Sequence, residues 1–141
     1  MPPLSRKLSL LALAIGLLLP VAAGAAEPTG TWLIKDGGAQ VRVGRCGADL
    51  CGTVAWIKKG APRVDLNNPD PAKRSRPLLG SRVLLGLKPS GEGQWTGSLY
   101  DAEDGRTYTG KLTIVDERHV KVAGCVLGGL ICQSQIWTRV R

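Results

Sequence analysis

The sequence predicts a small all-β protein, an antiparallel up-and-down β-barrel of about eight strands with one long ordered insertion. Short segments in which apolar and polar residues alternate with period two recur along residues 27–141. Turn sequences such as Asp36-Gly37-Gly38 and Asp104-Gly105 separate them, so nearly all connections join strands that are neighbours in the chain. Such a series of hairpins removes its exposed edges most simply by pairing its first strand with its last.

The first 26 residues have the features of a secretory signal peptide. The pair Arg6-Lys7 precedes the apolar run Leu8 to Val21, and small residues follow that run. A run of about 14 apolar residues is shorter than the roughly 20 that a transmembrane helix needs. We therefore predict cleavage after Ala25 or Ala26 and a single mature domain, residues 27–141. This domain is expected to be periplasmic or secreted, with no transmembrane anchor and no cysteine at the cleavage site for a lipid anchor.

The charge of the mature chain restricts its partners. Without Arg6 and Lys7, 17 of the 19 basic residues remain against 11 acidic ones, a net charge near +6. Such a charge attracts an anionic envelope component, whether lipid, polymer or acidic protein. The cations are spread along the chain and aromatic residues do not interleave with them, so we predict no nucleic-acid binding.

The four cysteines all lie in the part of the chain that is predicted to be exported, where an oxidising compartment favours disulfides. Three pairings are possible. The intervals from Cys46 to Cys51 and from Cys125 to Cys132 both resemble hairpin tips, so we predict the local pairs Cys46–Cys51 and Cys125–Cys132. The alternative is a zinc site with four cysteine ligands, but the spacings lack the two-residue knuckle usual for zinc.

Three strands precede the insertion. The first, Thr31 to Lys35, begins in the motif Gly30-Thr31-Trp32. The second runs from Ala39 to Gly44, where apolar residues occupy alternate positions. The third, Cys51 to Lys58, has apolar residues on both faces, so neither face is expected to lie fully in water.

The insertion runs from Pro62 to Gly80, and the apolar alternation stops before it and resumes after it. It contains four of the nine prolines and a basic run at residues 73–76. Loops this long in compact domains are usually functional or disordered, and its fixed turn chemistry argues against disorder. Asp70 is placed to cap one helical turn over Pro71 to Ser75. We predict that the insertion is a lid or a plug for the barrel.

Five strands follow the insertion, each recognised by alternation between turn residues. They are predicted over Val83–Lys88, Gln94–Asp101, Arg106–Val115, Arg118–Cys125 and Cys132–Val140. The clearest hairpin joins the second and third of these through Asp104-Gly105. In the fourth, Val120 and Val122 are expected to face inward.

Residues at both ends of the chain resemble the lipocalin (calycin) family. There the tryptophan of a GxW motif, here Gly30 to Trp32, lies under an arginine from the end of the barrel, here Arg139. The resemblance implies that these residues close one end of the barrel, and a guanidinium over an indole face contributes on the order of 1 kcal/mol.

A longer series of residues is similar to the exported bacterial family known as domain of unknown function 2147. In order it comprises Cys46-Gly47, Cys51-Gly52, Trp56, the run Asp65 to Gly80, Tyr100-Asp101, Asp104-Gly105, Tyr108, Gly124 to Gly128, Cys132, Ser134-Gln135 and Trp137. The similarity covers essentially all of residues 27–141. It implies a lipocalin-like barrel in the periplasm or outside a Gram-negative cell, with no established activity and no catalytic residues to carry over.

No catalytic arrangement is visible in the sequence. His119 is the only histidine and is expected on the polar side of its strand. Asp101 and Asp104 flank a tight turn, where aspartate commonly bonds the backbone. No nucleophile motif, cofactor motif or group with metal-ligand spacing occurs, so we predict that the protein is not an enzyme and holds no metal or cofactor.

Two groups of residues are candidates for ligand binding. Polar side chains of the insertion are suited either to bind a carboxylate or phosphate or to bond their own loop: Asp65, Asn67, Asn68, Arg74 and Arg76. Aromatic side chains are suited either to form pocket walls or to fill the barrel: Trp56, Trp95, Tyr100 and Tyr108.

The sequence thus predicts an exported lipocalin-like binding protein whose ligand is a small lipophilic or anionic molecule, with the insertion as its lid. The alternative is an envelope-associated interaction or structural module without a small-molecule ligand. An internal cavity of several hundred cubic ångströms, on the order of known ligand pockets, favours the first hypothesis.

Overall fold

The computed structural model describes residues 12–17 and 27–141 of the chain. Residues 30–139 form a closed barrel of eight antiparallel strands in which each strand pairs with the next and the last pairs with the first. The strands are β1 (Gly30–Leu33), β2 (Ala39–Cys46), β3 (Asp49–Ile57), β4 (Arg82–Gly91), β5 (Gln94–Asp101), β6 (Arg106–Asp116), β7 (His119–Val126) and β8 (Ile131–Arg139). The structure therefore confirms the predicted fold class.

The predicted signal peptide, residues 1–26, lies outside the described residues except for residues 12–17, and its cleavage remains a prediction. Within the two described ranges, no helix combines the length and the apolar character that crossing a membrane requires.

One half of the barrel interior is packed with side chains. Inward-facing residues of six strands form its core: Trp32, Val43, Leu50, Leu87, Leu112 and Val120. Trp32 and Leu112 have no exposed surface. The indole nitrogen of Trp32 donates to the carbonyl oxygen of Pro28 at 2.9 Å, so the polar atom of this buried ring is satisfied. This half is the closed end of the barrel.

The two ends of the chain meet at this closed end. The guanidinium carbon of Arg139 lies 4.3 Å from the ring centroid of Trp32. Its nitrogens donate to the carbonyl oxygens of Thr29 at 2.9 Å and Glu117 at 2.8 Å. A Cβ atom at Gly30 would lie 2.4 Å from Nη1 of Arg139, so only glycine leaves room for this arrangement. The tryptophan and the arginine thus lie as the lipocalin resemblance implies.

A β-bulge in β3 reverses the faces expected for two of its residues. Val54 pairs with Val41, and Trp56, two residues further along β3, pairs with Gln40, the immediate neighbour of Val41 in β2. Ala55 is therefore left without an opposite partner. The extra residue shifts the alternation by one position. Ile57 therefore faces the interior, whereas Trp56 is 41% exposed on the outside.

A second irregularity occurs in β4. Leu84 and Leu87 are both about 1% exposed although they are three residues apart. The register with β5 shifts between Leu85 and Lys88, and Gly86 has the positive φ of 59° that such a bulge favours. The simple alternation predicted for residues 83–88 is therefore wrong.

Both predicted disulfides are present. Cys46–Cys51 braces the β2–β3 hairpin at the closed end, with a Cα–Cα distance of 5.8 Å. Cys125–Cys132 joins directly opposed residues of β7 and β8 at the other end, with a Cα–Cα distance of 4.1 Å. All four cysteines are thus paired with sequence neighbours.

The insertion folds back on itself as an ordered loop. The backbone nitrogen of Asp65 donates to the oxygen of Arg76 at 3.0 Å, and that of Leu78 donates to the oxygen of Arg63 at 2.9 Å. At its tip, the side chain of Asp70 accepts from the nitrogen of Ala72 and caps the 3-10 turn Pro71–Lys73. The predicted capping is therefore correct, but the helical turn is shorter than predicted.

Candidate functional site

The half of the barrel opposite the Trp32 closure is hollow. It contains a cavity of about 740 Å³ that is open to solvent. The β1–β2 turn, the insertion, the β5–β6 turn and the β7–β8 turn all contribute residues to its lining, and all four lie at the same end of an up-and-down barrel. The cavity therefore opens at this end, which we call the mouth.

Apolar side chains form most of the cavity wall. They come from the strands and from both arms of the insertion: Ile34, Val41, Val54, Ile57, Val64, Leu78, Val83, Leu84, Leu99, Val122 and Trp137. At Gly124 the strand presents no side chain, and the ring of Tyr108 lies beside it. The volume lies within the range of about 300–1,000 Å³ that is typical of ligand pockets.

Two glutamines of β8 bring amide groups into this apolar wall. Gln133 and Gln135 alternate with outward residues and face the same side as Trp137. The side-chain oxygen of Gln135 accepts from the indole nitrogen of Trp137 at 2.9 Å and from the backbone nitrogen of Lys35 at 3.4 Å. These residues provide uncharged hydrogen-bonding groups beside an apolar volume.

Charged side chains that line the cavity lie at its mouth. Two are basic and four are acidic: Lys35, Arg106, Asp36, Asp101, Glu103 and Asp104. The hydroxyl of Tyr108 donates to the carboxylate of Asp104, and this hydrogen bond, with some burial and the carboxylate charge, raises the pKa of Tyr108. The charged residues that line the cavity are therefore more acidic than basic, in contrast to the chain as a whole.

A buried carboxylate organises the insertion beside the mouth. Asp65 has no exposed surface. Its two oxygens accept from the hydroxyl of Tyr100 at 2.7 Å, from the amide of Asn68 at 2.8 Å and from the guanidinium of Arg76 at 2.8 Å. Because β5 carries Tyr100 and the insertion carries the other three residues, the cluster fastens the insertion to the barrel wall.

The pKa values in this cluster follow from burial and hydrogen bonding. Burial alone would raise the pKa of Asp65, but the three donors and the positive charge of Arg76 outweigh it and hold that pKa below its ordinary value. Burial, followed by the hydrogen bond to the Asp65 carboxylate and the negative charge of that group, raises the pKa of Tyr100 to about 12. Asp65 is therefore an anion and Tyr100 a neutral donor at neutral pH.

The arginines predicted to bind an anion have partners inside the insertion. Arg76 forms the ion pair with Asp65, and the Nε atom of Arg74 donates to the backbone oxygen of Asn68 at 2.9 Å. Neither arginine is among the residues that line the cavity. Of the two arrangements considered from the sequence, the structure shows the one in which these side chains bond their own loop.

Of the other candidates, three lie together at the mouth and two lie elsewhere. Asn67, Tyr100 and Tyr108 line the cavity, and the amide of Asn67 donates to the backbone oxygen of Glu103 at 2.8 Å. Trp56 is on the outer surface because of the β3 bulge, so it neither forms a pocket wall nor fills the barrel, and both predicted alternatives are wrong for it. Trp95 packs against the core at the closed end, beside a small pocket of about 170 Å³, and is not a wall of the large cavity either.

The sequence reasoning missed most of the apolar wall and both glutamines. The sequence of β8 does contain a pattern that places both glutamines on one face with Trp137, because Gln133, Gln135 and Trp137 occupy alternate positions of one strand. The strand pattern does not distinguish an inward position that lines a cavity from one that fills the core.

The acid and base candidates do not form a reacting group. His119 lies at the closed end, where its Nδ1 atom is 2.8 Å from a carboxylate oxygen of Asp116. Asp101 and Asp104 each accept from a backbone nitrogen two residues ahead, those of Glu103 and Arg106. Among the described residues, no group of three or more potential ligand side chains is arranged to hold a metal ion.

Comparisons with known proteins agree with this geometry. The structure is similar to that of protein HP1028 from Helicobacter pylori, which is described as belonging to the lipocalin family. The TM-score is 0.73 at 19% sequence identity, over 82% of this chain and 84% of the other. This similarity shows a lipocalin-like fold. No curated protein matches the sequence.

The family model described as "Uncharacterized protein conserved in bacteria (DUF2147)" matches residues 30–139, from the first strand to the last. This span contains the GxW tryptophan, the arginine that covers it, both disulfides and the insertion. The chain therefore belongs to the bacterial DUF2147 family.

Proposed function

We propose that the protein is an exported carrier or sensor that binds one small lipophilic molecule inside the barrel. The cavity of about 740 Å³, lined mostly by apolar side chains and open at the mouth, is the observation that supports this proposal. Burial of an apolar ligand surface there contributes about 25 cal/mol per Å². The lipocalin-like fold is consistent with a ligand inside the barrel.

The charges at the mouth favour a neutral or cationic polar group on the ligand over a carboxylate or phosphate. Four acidic side chains and two basic ones line this region, and the arginines of the insertion are engaged with Asp65 and Asn68. Gln133, Gln135 and Tyr108 supply uncharged donors and acceptors. Of the two ligand classes predicted from the sequence, the observations thus support the lipophilic one.

Export to an oxidising compartment is part of the proposal. Two disulfides between local cysteines suit a periplasmic or secreted protein, and residues 1–26 have the features of a signal peptide. Binding rather than catalysis is proposed, because the histidine and the turn aspartates have structural partners and do not meet at the cavity.

The test compares two phenylalanine substitutions at adjacent positions of β8. Gln133→Phe places a ring inside the cavity, and Ser134→Phe places the same ring on the outer face. The probe is the neutral fluorophore N-phenyl-1-naphthylamine, whose emission rises in apolar surroundings. We expect saturable binding by the unmodified protein, a loss of at least about tenfold in affinity for Gln133→Phe, and little change for Ser134→Phe.

Competition with twelve-carbon amphiphiles then tests the polar group. Dodecanol and dodecylammonium are expected to displace the probe at lower concentrations than dodecanoate. Absence of saturable probe binding, or equal affinities of the two phenylalanine variants, would contradict the cavity as a binding site.

A further inference from the structure

The tip of the β7–β8 hairpin exposes apolar side chains that no part of the described chain covers. We define the tip as Val126 to Ile131, with the sequence VLGGLI. The exposed fractions are 44% for Val126, 69% for Leu127, 84% for Leu130 and 58% for Ile131. Between Lys121 and Arg139 the sequence contains no charged residue. A contiguous apolar group of this kind on a surface marks an interaction site.

The backbone presents these side chains in a defined conformation. The disulfide Cys125–Cys132 joins the two strands directly below the tip. Gly128 and Gly129 have positive φ angles of 67° and 93°, which glycine adopts freely. Leu127 also has a positive φ, of 53°, a conformation that is uncommon and costly for a residue with a side chain. The chain thus holds a leucine in an unfavourable conformation that leaves it in the solvent.

The tip stands at the mouth of the cavity, and the insertion on the opposite side carries exposed cations that lie outside the cavity lining. Val126 and Ile131 line the cavity, so the tip continues its apolar wall outward. Across the mouth, the insertion and its approach carry exposed cations without an ion-pair partner among the described residues: Lys58, Lys59, Arg63, Lys73 and Arg74. Leu66, between Arg63 and Lys73 in the sequence, is 62% exposed.

We propose that the tip inserts into the surface of a lipid bilayer that contains anionic phospholipid, so that the mouth of the barrel faces the membrane. An apolar tip with exposed cations on the opposite side of the mouth can bind such a surface, through burial of the apolar side chains and attraction to the headgroups. This inference extends the proposed function, since it concerns where the barrel docks rather than what it holds. It would allow a lipophilic ligand to pass between bilayer and cavity without crossing water.

A bilayer fits this surface better than a protein partner does. Stable protein interfaces bury about 1,200–2,000 Å² and require complementary shapes. The tip offers four apolar side chains on a protruding turn, whereas a bilayer accepts any apolar protrusion. A second copy of the chain carries the same net positive charge, so two copies would repel each other.

The test is flotation with lipid vesicles. The full chain, residues 1–141, is expressed, and the exported protein is purified. Vesicles of phosphatidylethanolamine and phosphatidylglycerol at a three-to-one ratio are compared with vesicles of phosphatidylcholine alone. We expect binding to the anionic vesicles that weakens as salt is raised. The double variant Leu127→Ser, Leu130→Ser is expected to bind at least about tenfold more weakly, because two exposed apolar side chains no longer enter the lipid.

Val115→Ser is the matched control. Val115 is also an exposed apolar residue, at 55%, but it lies near the β6–β7 turn at the closed end. We expect it to bind vesicles as the unmodified protein does. In addition, a tryptophan is introduced at either position, as Leu130→Trp or Val115→Trp. Lipids with brominated acyl chains are expected to quench the fluorescence of the tryptophan at position 130 but not that of the tryptophan at position 115.

Three results would overturn the inference. The first is equal vesicle binding by the tip variant and the Val115 control, and the second is no binding to anionic vesicles. The third is a dimer in the absence of lipid that the tip variant abolishes, which would assign the tip to a second copy. Binding of the naphthylamine probe in the absence of vesicles is a separate readout, so failure of docking and failure of the proposed ligand binding are distinguishable.

Discussion

Asp65 shows how a single buried charge fixes the position of a long loop. A carboxylate without exposed surface is costly unless hydrogen bonds and an opposite charge replace its water. Three donors do so here, and one of them, Tyr100, comes from a strand 35 residues away. The side chain of Arg76 is 41% exposed, so its charge keeps part of its hydration. The stabilising effect of the cluster thus depends on hydrogen bonds more than on the ion pair.

Tyr100→Phe is expected to lower the free energy of unfolding by about 2 kcal/mol, since it removes a hydrogen bond to a buried charged group. The pKa of Asp65 lies below its ordinary value, so its contribution is present above about pH 4 and is lost as pH falls through the folded-state pKa. The variant raises that folded-state pKa, and acid unfolding should begin at a higher pH. Urea unfolding across an acid pH series measures both effects.

Tyr108→Phe is the control for this prediction. Its hydroxyl bonds Asp104 at the mouth, where both groups have access to solvent, so we expect a cost below about 1 kcal/mol and no shift of the acid limb. If the two variants had the same stability and the same pH profile, Asp65 would not have the role assigned to it.

The sequence predicted the residues of the Asp65 cluster better than their arrangement. The sequence identifies Asp65, Asn68 and Arg76 as candidates for polar contacts, but the same side chains could bind either a ligand or their own loop. The deciding partner was Tyr100, and no local spacing connects a residue of the insertion to one on β5. Contacts between distant parts of a chain depend on the closed fold rather than on any local pattern.

At the scale of the elements, alternation and turn chemistry located every strand, but they failed at bulges. The extra residue Ala55 moves Trp56 to the outside, and Gly86 allows Leu84 and Leu87 to face inward together. A bulge leaves no reliable mark in a strand that is apolar on both faces, because either alternation fits its residues. For this reason the sequence predicts an inward position for Trp56, as a pocket wall or as part of the barrel filling, whereas the residue lies outside.

The docking of the insertion on the β5–β6 turn provides the prediction at this scale. Gly105 has a φ of 70°, and a Cβ atom there would lie 1.8 Å from the backbone oxygen of Asn67 in the insertion. Gly105→Ala is therefore expected to displace the insertion, with faster tryptic cleavage at Lys73 and Arg74 and a loss of stability well above the cost of the backbone conformation alone. Limited proteolysis followed by mass spectrometry measures the displacement.

Gly37→Ala is the matched control, because Gly37 has a φ of 75° in the β1–β2 turn and no heavy atom within 4 Å of the Cβ position. Gly37→Ala should lower the free energy of unfolding by only about 1–2 kcal/mol, the cost of a left-handed backbone conformation for alanine. It should leave the insertion protected from trypsin. Equal cleavage of the two variants would show that the insertion is not held at Gly105.

At the scale of the whole molecule, the sequence predicted closure of the barrel but not that half of it is hollow. Closure follows from neighbour-to-neighbour hairpins and from the first and last strands, which share the Trp32 and Arg139 contact. Whether the interior fills depends on which inward positions carry large side chains. Trp32, Leu87 and Leu112 fill the closed half, whereas Gly124 and Val54 leave room near the mouth.

The closure itself can be measured through Arg139, which connects the two ends of the barrel wall. Arg139→Met keeps the length of the side chain but removes the cation over Trp32 and the charged donors to the oxygens of Thr29 and Glu117. We expect a loss of about 2–3 kcal/mol in the free energy of unfolding, from one cation–π contact and at least one charged hydrogen bond.

Arg45→Met is the control, because the ion pair of Arg45 with Glu27 is exposed on both sides and should contribute less than about 1 kcal/mol. Chemical denaturation of both variants gives the two values.

Hydrogen exchange should then show the additional opening of the Arg139 variant in β1 and β8, since these strands share the shortest ladder of the barrel. Exchange that rose equally in all eight strands would mean that the barrel opens as a unit and that the contact between its ends is not where it begins to unfold.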